Sequence, residues 1–257
     1  MTDATLSYRV GRYGQYVPRL GFLLAVVAAA MLGLAPLGWR LGLWPYSTSF
    51  WYLMAPAAFV AIAGGVISLI ALLWWGGMSG AGRAMALAGL VIAGAAFYLP
   101  WQYYHTARTV PRIHDITTDI GNPPAFSAAV MAARKAEDGD VKPYSQEIGR
   151  QQQAAYPDLA PLKTALPPNE AFKRALAVVE AMPRTTVDDS HPAKGTIEAS
   201  QRSLFMGFTD DFVLRVTPDG QGSRIDMRSE SRQGRSDLGV NAKRIRVTFA
   251  ALKGRLG

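Results

Sequence analysis

The sequence contains no cysteine, and its three histidines, His105, His114 and His191, are widely separated. The absence of cysteine excludes disulfide bonds, thiol catalysis and cysteine-ligated metals. A structural zinc site needs four grouped ligands, which three scattered histidines do not supply. A lone histidine such as His105 is more often solvated than a haem ligand. The sequence therefore predicts neither a metal site nor a cofactor.

Charge is scarce in the first part of the chain. Residues 1–105 hold only six of the 46 Lys, Arg, Asp and Glu residues, and the stretches 20–39 and 41–82 hold none. The other 40 charged residues lie in residues 106–257. This break in composition places the predicted domain boundary after residue 105.

Three apolar segments occupy the charge-poor region, and each approaches or exceeds the roughly 20 residues that cross a bilayer. They are residues 20–38, 50–75 and 84–104. Aromatic residues such as Trp39 and Tyr104 lie at their ends, as is typical of the membrane interface. Small residues such as Gly64 and Ser68 favour packing of the spans on each other over a separate partner interface. The sequence thus predicts a three-helix anchor, residues 20–105, in a lipid bilayer.

The orientation of the anchor follows from its short loops, because cytoplasmic loops carry an excess of Lys and Arg. One side has four arginines and the other has three. The first side has Arg9, Arg12, Arg19 and Arg83, and the second has Arg40, Arg108 and Arg112. This predicts that the tail, residues 1–19, is cytoplasmic. Three spans then place residues 106–257 in the periplasm, with the anchor in a bacterial inner membrane.

Residues 106–257 are predicted to form an irregular tether and an α+β domain. Prolines recur through residues 106–166, which disfavours long regular elements and leaves one short helix at 126–135. Residues 167–257 have the pattern helix, three or four antiparallel strands, helix. The helices are expected at 170–181 and after Ser236 or Asp237, and the strand-like runs are 185–188, 195–204, 209–217 and 222–232. This pattern predicts a two-layer domain with both helices on one face of the sheet.

A distinctive motif runs through the C-terminal region. It consists of LFMGFTDDF at 204–212, DMRSESR at 226–232 and GRSDLGVNAKRI at 234–245. The motif closely resembles the family called domain of unknown function 1499, and the resemblance covers roughly residues 115–253. It implies a fold and an envelope compartment but no activity. Many members carry a cysteine before the first helix of the domain, which this sequence lacks.

The polar motif residues have a structural and a functional interpretation. They are Asp210, Asp211, Arg228, Ser229, Ser231, Arg232, Arg235, Asp237, Asn241 and Arg244. In the structural interpretation, the two aspartates pair with strand arginines across the ladder, and Asp237 and Asn241 tie down the last helix. In the functional one, Arg228, Arg232, Arg235 and Arg244, with the N–H groups of 236–239, hold an anion or contact a partner.

Catalysis is not favoured by this motif. Asp210 and Asp211 are adjacent on a strand, so their side chains point to opposite faces and form no carboxylate pair. Ser229 and Ser231 have no histidine nearby in the sequence. Residues 224–257 carry a net charge of +6, but the last helix has only one aromatic residue, so nucleic-acid binding is not expected.

Two functions remain open from the sequence. The first is a non-enzymatic envelope protein whose periplasmic domain mediates interactions within a membrane complex. The alternative is a domain that binds a small anionic or lipid ligand at the arginine cluster. The sequence does not indicate an oligomeric state.

Overall fold

A computed structural model describes residues 16–74 and 78–256 of the chain. The chain divides into two compact units, Met1–His105 and Thr106–Gly257, at the position where the charge composition changes. Residues 1–15 of the predicted tail (1–19) lie outside the described residues. Trp75, at the end of the predicted second span, lies outside them too.

Long apolar helices form the N-terminal unit, as predicted. Helix α1 is Tyr16–Arg40, helix α2 is Ala55–Trp74 and helix α3 is Gly80–Thr109. A helical turn, Tyr46–Thr48, and a π-helical segment, Ser49–Met54, lead directly into α2 and lengthen the second candidate span. The three candidate spans have mean hydropathies of 2.4, 2.3 and 1.7, so each is long and apolar enough to cross a membrane. Each span begins before its predicted segment.

Small residues allow these helices to approach closely. A Cβ atom added at Gly21 of α1 would collide with the Oγ of Ser68 in α2, and one added at Gly89 of α3 would lie 2.5 Å from the same oxygen. One added at Gly64 would lie 2.8 Å from the backbone nitrogen of Ala25. The helices therefore pack on each other through the small residues, and the close approach leaves no room for larger side chains.

An antiparallel sheet of six strands forms the centre of the C-terminal unit. The strands are β1 Asp115–Thr117, β2 Leu162–Thr164, β3 Thr185–His191, β4 Thr196–Arg202, β5 Thr209–Asp219 and β6 Gly222–Ser231. Their order is β1-β6-β5-β4-β3, and β2 pairs with the other half of the outer edge of β6. Strands β3 to β6 overlap the four predicted runs, and β3 continues three residues beyond its predicted end at residue 188.

Two helices cover one face of this sheet, as the sequence predicts. Helix α6 is Pro168–Glu180 and helix α7 is Val240–Leu256. Their apolar stripes and the inward side chains of the strands form one core, which includes Phe172, Val179, Phe212, Leu214, Met227, Ile245 and Leu252. The α+β class is therefore confirmed.

The predicted irregular tether, residues 106–166, requires a correction. It contains strands β1 and β2 and two helices, α4 Ala128–Ala136 and α5 Gln146–Ala155. Each helix begins after a serine whose hydroxyl accepts a backbone N–H, and the prolines lie between the elements rather than inside them. Strands of three residues have almost no local signal, and here they form because β6 supplies a hydrogen-bonded edge.

Candidate functional site

Charged side chains line the face of the sheet opposite α6 and α7. The outward positions of β6 and the residue that follows it are Arg224, Asp226, Arg228, Glu230 and Arg232. Residues 118–144, called the strap below, cover this face and include α4. The strap is fastened by polar contacts, such as the Ser127 N–H that donates to a Glu198 oxygen at 2.5 Å. A charged sheet face is thus buried beneath a charged cover.

Arg134 of α4 forms the main link between the strap and the sheet. Its side chain is 0% exposed, with Nη1 2.8 Å from Asp211 Oδ2 and Nη2 2.6 Å from Glu230 Oε1. Its Nε donates to the backbone oxygen of Asp140 at 2.7 Å. Because a buried charge without a partner costs several kcal/mol, these partners are required for α4 to pack here.

Arg228 makes a two-pronged ion pair with the first strand. Its Nε and Nη2 lie 2.9 and 2.8 Å from the two carboxylate oxygens of Asp115, and Nη2 also lies 3.0 Å from Glu230. The ring of Phe126 packs on the guanidinium at 4.9 Å from its centroid. The planar fork of arginine suits this arrangement, which fixes β1, β6 and the strap together.

Arg232 forms a similar pair on the neighbouring strand. Its Nε and Nη2 lie 2.9 and 2.8 Å from the carboxylate oxygens of Asp211, and its Nη1 lies 2.7 Å from Glu137 at the end of α4. Asp211 therefore receives two guanidinium groups, those of Arg232 and Arg134. The cross-strand pairing that the sequence predicted for Asp211 is present in this geometry.

Three arginines and three carboxyl groups make up the centre of this charged layer, called the inner network below. They are Arg134, Arg228, Arg232, Asp115, Asp211 and Glu230, and all six are buried. Burial raises the pKa of Glu230 to about 8, despite the two guanidinium groups beside it, and also raises the pKa of Asp115. The hydrogen bond from Arg232 to Asp211 raises the pKa of that arginine. Every guanidinium of the network already contacts a carboxyl group at 3.0 Å or less.

Asp210 lies on the opposite, helix-covered face and pairs with Arg244 of α7. The Nη2 of Arg244 is 2.5 Å from Asp210 Oδ2, and its Nη1 is 2.7 Å from the hydroxyl of Ser229. Asn241 accepts hydrogen bonds from Arg244 and Ser229 and donates to Ser231. Adjacent aspartates thus point to opposite faces, and this second network ties α7 to the sheet.

Asp237 closes the first turn of α7. Its two carboxylate oxygens accept the N–H groups of Gly239 and Asn241, both at 2.8 Å, and burial raises its pKa. The sequence suggested anion binding by the backbone N–H groups at the start of this helix. In the structure, the carboxylate of Asp237 occupies that position. Arg235 is exposed and forms no ion pair with any residue from 16 to 74 or from 78 to 256.

The structure does not bring the four candidate arginines into one site. Arg228 and Arg232 lie under the strap, Arg244 lies on the helix-covered face and Arg235 lies in the exposed loop after β6. The other polar motif residues are all engaged in hydrogen bonds or ion pairs within the domain. The motif therefore corresponds to two interlocking networks that fix α4, α7 and β1 on the sheet.

Sequence reasoning missed the partners that the N-terminal part of this unit supplies. Asp115, Arg134 and Phe126 lie in the predicted tether. Each of them lies about a hundred residues before the residue of β6 that it contacts. One signal was present: both signs of charge alternate on one face of β6, from Arg224 to Arg232. Such a face needs a cover that carries charges of its own.

The outer side of α7 adds a second feature. A groove of about 280 Å³ separates this helix from residues 158–162, with Pro161, Phe249 and Lys253 in its lining. The ion pair between Arg246 and Asp158, 2.6 Å apart, bridges it. Among the residues that the structure describes, no group of three or more His, Cys, Asp or Glu side chains is arranged to hold a metal ion.

Fold and site together define an α+β domain that follows three apolar helices in the chain. One face of its sheet is covered by α6 and α7, and the other by an ion-paired strap. The chain belongs to the family described as Protein of unknown function (DUF1499), whose model matches residues 115–252, just over half of the chain. This confirms the family resemblance seen in the motif.

The solved structures that match the chain have low similarity to it. No curated protein matches the chain. The crystal structure of Ara h 8.0201 is 13% identical, with 37% of this chain and 93% of that chain covered and a TM-score of 0.30. The crystal structure of TTHA0849 from Thermus thermophilus is 10% identical, with 38% and 94% covered and a TM-score of 0.23.

Proposed function

We propose that this chain is a non-enzymatic protein of the bacterial cell envelope, held in the inner membrane by its three apolar helices. Its α+β domain lies in the periplasm and mediates contacts within a membrane protein complex. The observation that carries the proposal is the internal pairing of the motif residues. Side chains that would otherwise supply catalytic or anion-binding groups are engaged in holding the fold.

The same pairing weighs against the alternative, a small anionic or lipid ligand bound at the arginine cluster. A ligand phosphate or carboxylate would have to displace Asp115 from Arg228 or Asp211 from Arg232, and each of these is held by two hydrogen bonds. The displaced carboxylate would then remain buried without its partner, which is strongly unfavourable. The outer surface of the domain is the better place for recognition.

The outer side of α7 is the surface we assign to the protein partner. Lys243, Arg246, Val247 and Lys253 are exposed along it, and Arg246 pairs there with Asp158. Exposed cations beside apolar side chains complement an acidic protein segment, since opposite charges steer association and apolar contact adds affinity. We therefore expect an acidic partner rather than a basic one.

Copurification tests this assignment directly. The tagged full-length protein would be extracted in a mild detergent, and the proteins and lipids that accompany it would be identified by mass spectrometry. We expect a stoichiometric protein partner that is lost in the double variant Lys243→Glu, Lys253→Glu. The double variant Lys135→Glu, Lys142→Glu is the matched control, because both of these lysines are exposed on the strap.

Two outcomes would overturn the proposal. One is the retention of the partner by the α7 variant. The other is a small anion or lipid in place of a protein, released by Arg232→Gln in a domain that still resists proteolysis; this would establish the ligand alternative.

Orientation is open to a separate test, because the chain has no native cysteine. A cysteine introduced for Gln221, in the exposed turn between β5 and β6, provides a single reactive thiol. We expect a maleimide that cannot cross the inner membrane to label it in cells with a permeable outer membrane. Labelling only after lysis would place the domain in the cytoplasm.

A further inference from the structure

The loop between β4 and β5, residues 203–208, presents an apolar tip that neither charged network uses. Leu204 is 72% exposed, the highest value for a large apolar side chain among the described residues of this unit. The loop is nevertheless well fixed. Ser203 and Phe208 are joined by a backbone hydrogen bond of 2.9 Å, and Met206 is buried beneath the tip. The fold thus holds Leu204 outward.

This loop lies at the end of the sheet where the chain arrives from α3. The N–H of Arg232 donates to the oxygen of Thr209, and the N–H of Ser231 donates to the oxygen of His114, which joins the loop region to the start of β1. Helix α3 ends at Thr109 and β1 begins at Asp115. The linking residues span at most about 20 Å when fully extended. The β4–β5 loop therefore lies at the end of the sheet where β1 begins, a short linker after α3.

Exposed cations lie at the same end of the sheet as the apolar tip. Arg184 and Arg202 lie side by side, linked through their backbones, and Arg235 lies in the loop after β6 at the same end. None of the three arginines forms a salt bridge with a described residue. Asp138, just after α4, is an exposed acidic residue in the same part of the unit. An exposed apolar residue with arginines at the same end of a domain suits the headgroup layer of anionic membranes.

We propose that the β4–β5 loop inserts Leu204 into the headgroup layer of the bilayer that anchors the chain, while Arg184, Arg202 and Arg235 contact lipid phosphates. This goes beyond the proposed partner surface on α7 and rests on the proposed membrane anchoring. It also gives a role to Arg235, which belongs to neither internal network.

Site-specific labels on the full-length protein in vesicles test this contact. A fluorescent NBD group would be attached to Leu204→Cys and, as the matched control, to Gln221→Cys at the opposite end of the sheet. In phosphatidylcholine vesicles that contain phosphatidylglycerol, we expect the label at 204 to be quenched by brominated lipid. We also expect it to react with dithionite severalfold more slowly than the label at 221.

A charge variant sharpens the result. Arg202→Glu combined with Arg235→Glu should remove most of the protection at 204 in anionic vesicles, and it should have little effect in vesicles of phosphatidylcholine alone. Arginine contacts with phosphates predict this dependence on anionic lipid.

The outcomes separate failure of the loop contact from failure of the anchoring. Labels at 204 and 221 that are equally reactive, in a chain that floats with its vesicles, would overturn the loop contact alone. A label at 204 that is shielded but not quenched by brominated lipid would also overturn it, since protein would then cover the tip. A chain that does not float with vesicles would overturn the anchoring itself.

Discussion

The two faces of the sheet are closed by opposite means. On one face α6 and α7 bury apolar side chains such as Phe212 and Leu214, which need only suitable shape and volume. On the other face the strap buries charges, and every guanidinium there must meet its carboxyl group within about 3 Å. An apolar face tolerates many sequences, whereas a charged face fixes which residues meet. This difference explains why Asp211, Arg228 and Arg232 of the motif record contacts of the charged face, whereas Asp210 pairs with Arg244 on the helix-covered face.

The largest expected effect comes from the strap. Arg134→Ala would leave Asp211 and Glu230 without a guanidinium that contacts both, so we expect a loss of about 3–5 kcal/mol in the free energy of unfolding. Pulse proteolysis across a urea series measures the stability of this unit in the full-length protein. Lys135→Ala is the control, because its exposed side chain should change stability by no more than about 0.5 kcal/mol. Equal midpoints for the two variants would show that the ion-paired cover contributes little.

A smaller expected effect is a dependence of stability on pH, which arises on the charged face of the sheet. Burial raises the pKa of Glu230 from 4.5 to about 8, so between these values the folded domain holds a proton that the unfolded chain releases. Stability should therefore fall as pH rises toward 8, by no more than about 1.4 kcal/mol per pH unit from this group. Asp115, whose pKa burial also raises, acts in the same direction.

Two variants test this assignment by their urea midpoints at pH 6 and pH 8.5. Glu230→Gln should flatten the pH dependence, since the amide neither gains nor loses a proton. Leu214→Ala removes apolar contact on the other face, so it should lower the midpoint similarly at both pH values. A Glu230→Gln variant with the full wild-type pH dependence would assign the titration to another group.

The sequence predicted the helix-covered face well and the strap face poorly, for a physical reason. Alternation of apolar residues marks β5 and β6, and the stripe from Ala242 to Leu252 marks α7, because burial of an apolar face imposes a local period. The sequence also offered Ser236 or Asp237 as the cap of α7, and the carboxylate of Asp237 accepts the N–H groups of Gly239 and Asn241. Pairing of Asp115 with Arg228 leaves no such period, since it depends on two residues 113 positions apart. The three-residue strands β1 and β2 were missed for the same reason.

Candidate site residues follow the same rule. The motif located Asp210, Asp211, Arg232 and Arg244, but its spacing did not show which acid each arginine meets or on which face of the sheet. Arg134 carried no signal of its own, because a single arginine near the end of a short helix usually lies in solvent. Only the fold shows it to be fully buried.

A double-mutant cycle tests the central claim, that the motif arginines hold the domain together, most directly. The urea midpoints of Asp210→Asn, Arg244→Gln and the double variant would be compared with that of the parent chain. If the pair seen at 2.5 Å ties α7 to the sheet, each single change should destabilise the domain, and the coupling energy should exceed about 1 kcal/mol. Single variants as stable as the parent, with a coupling energy near zero, would contradict the claim and point to an external ligand for Arg244.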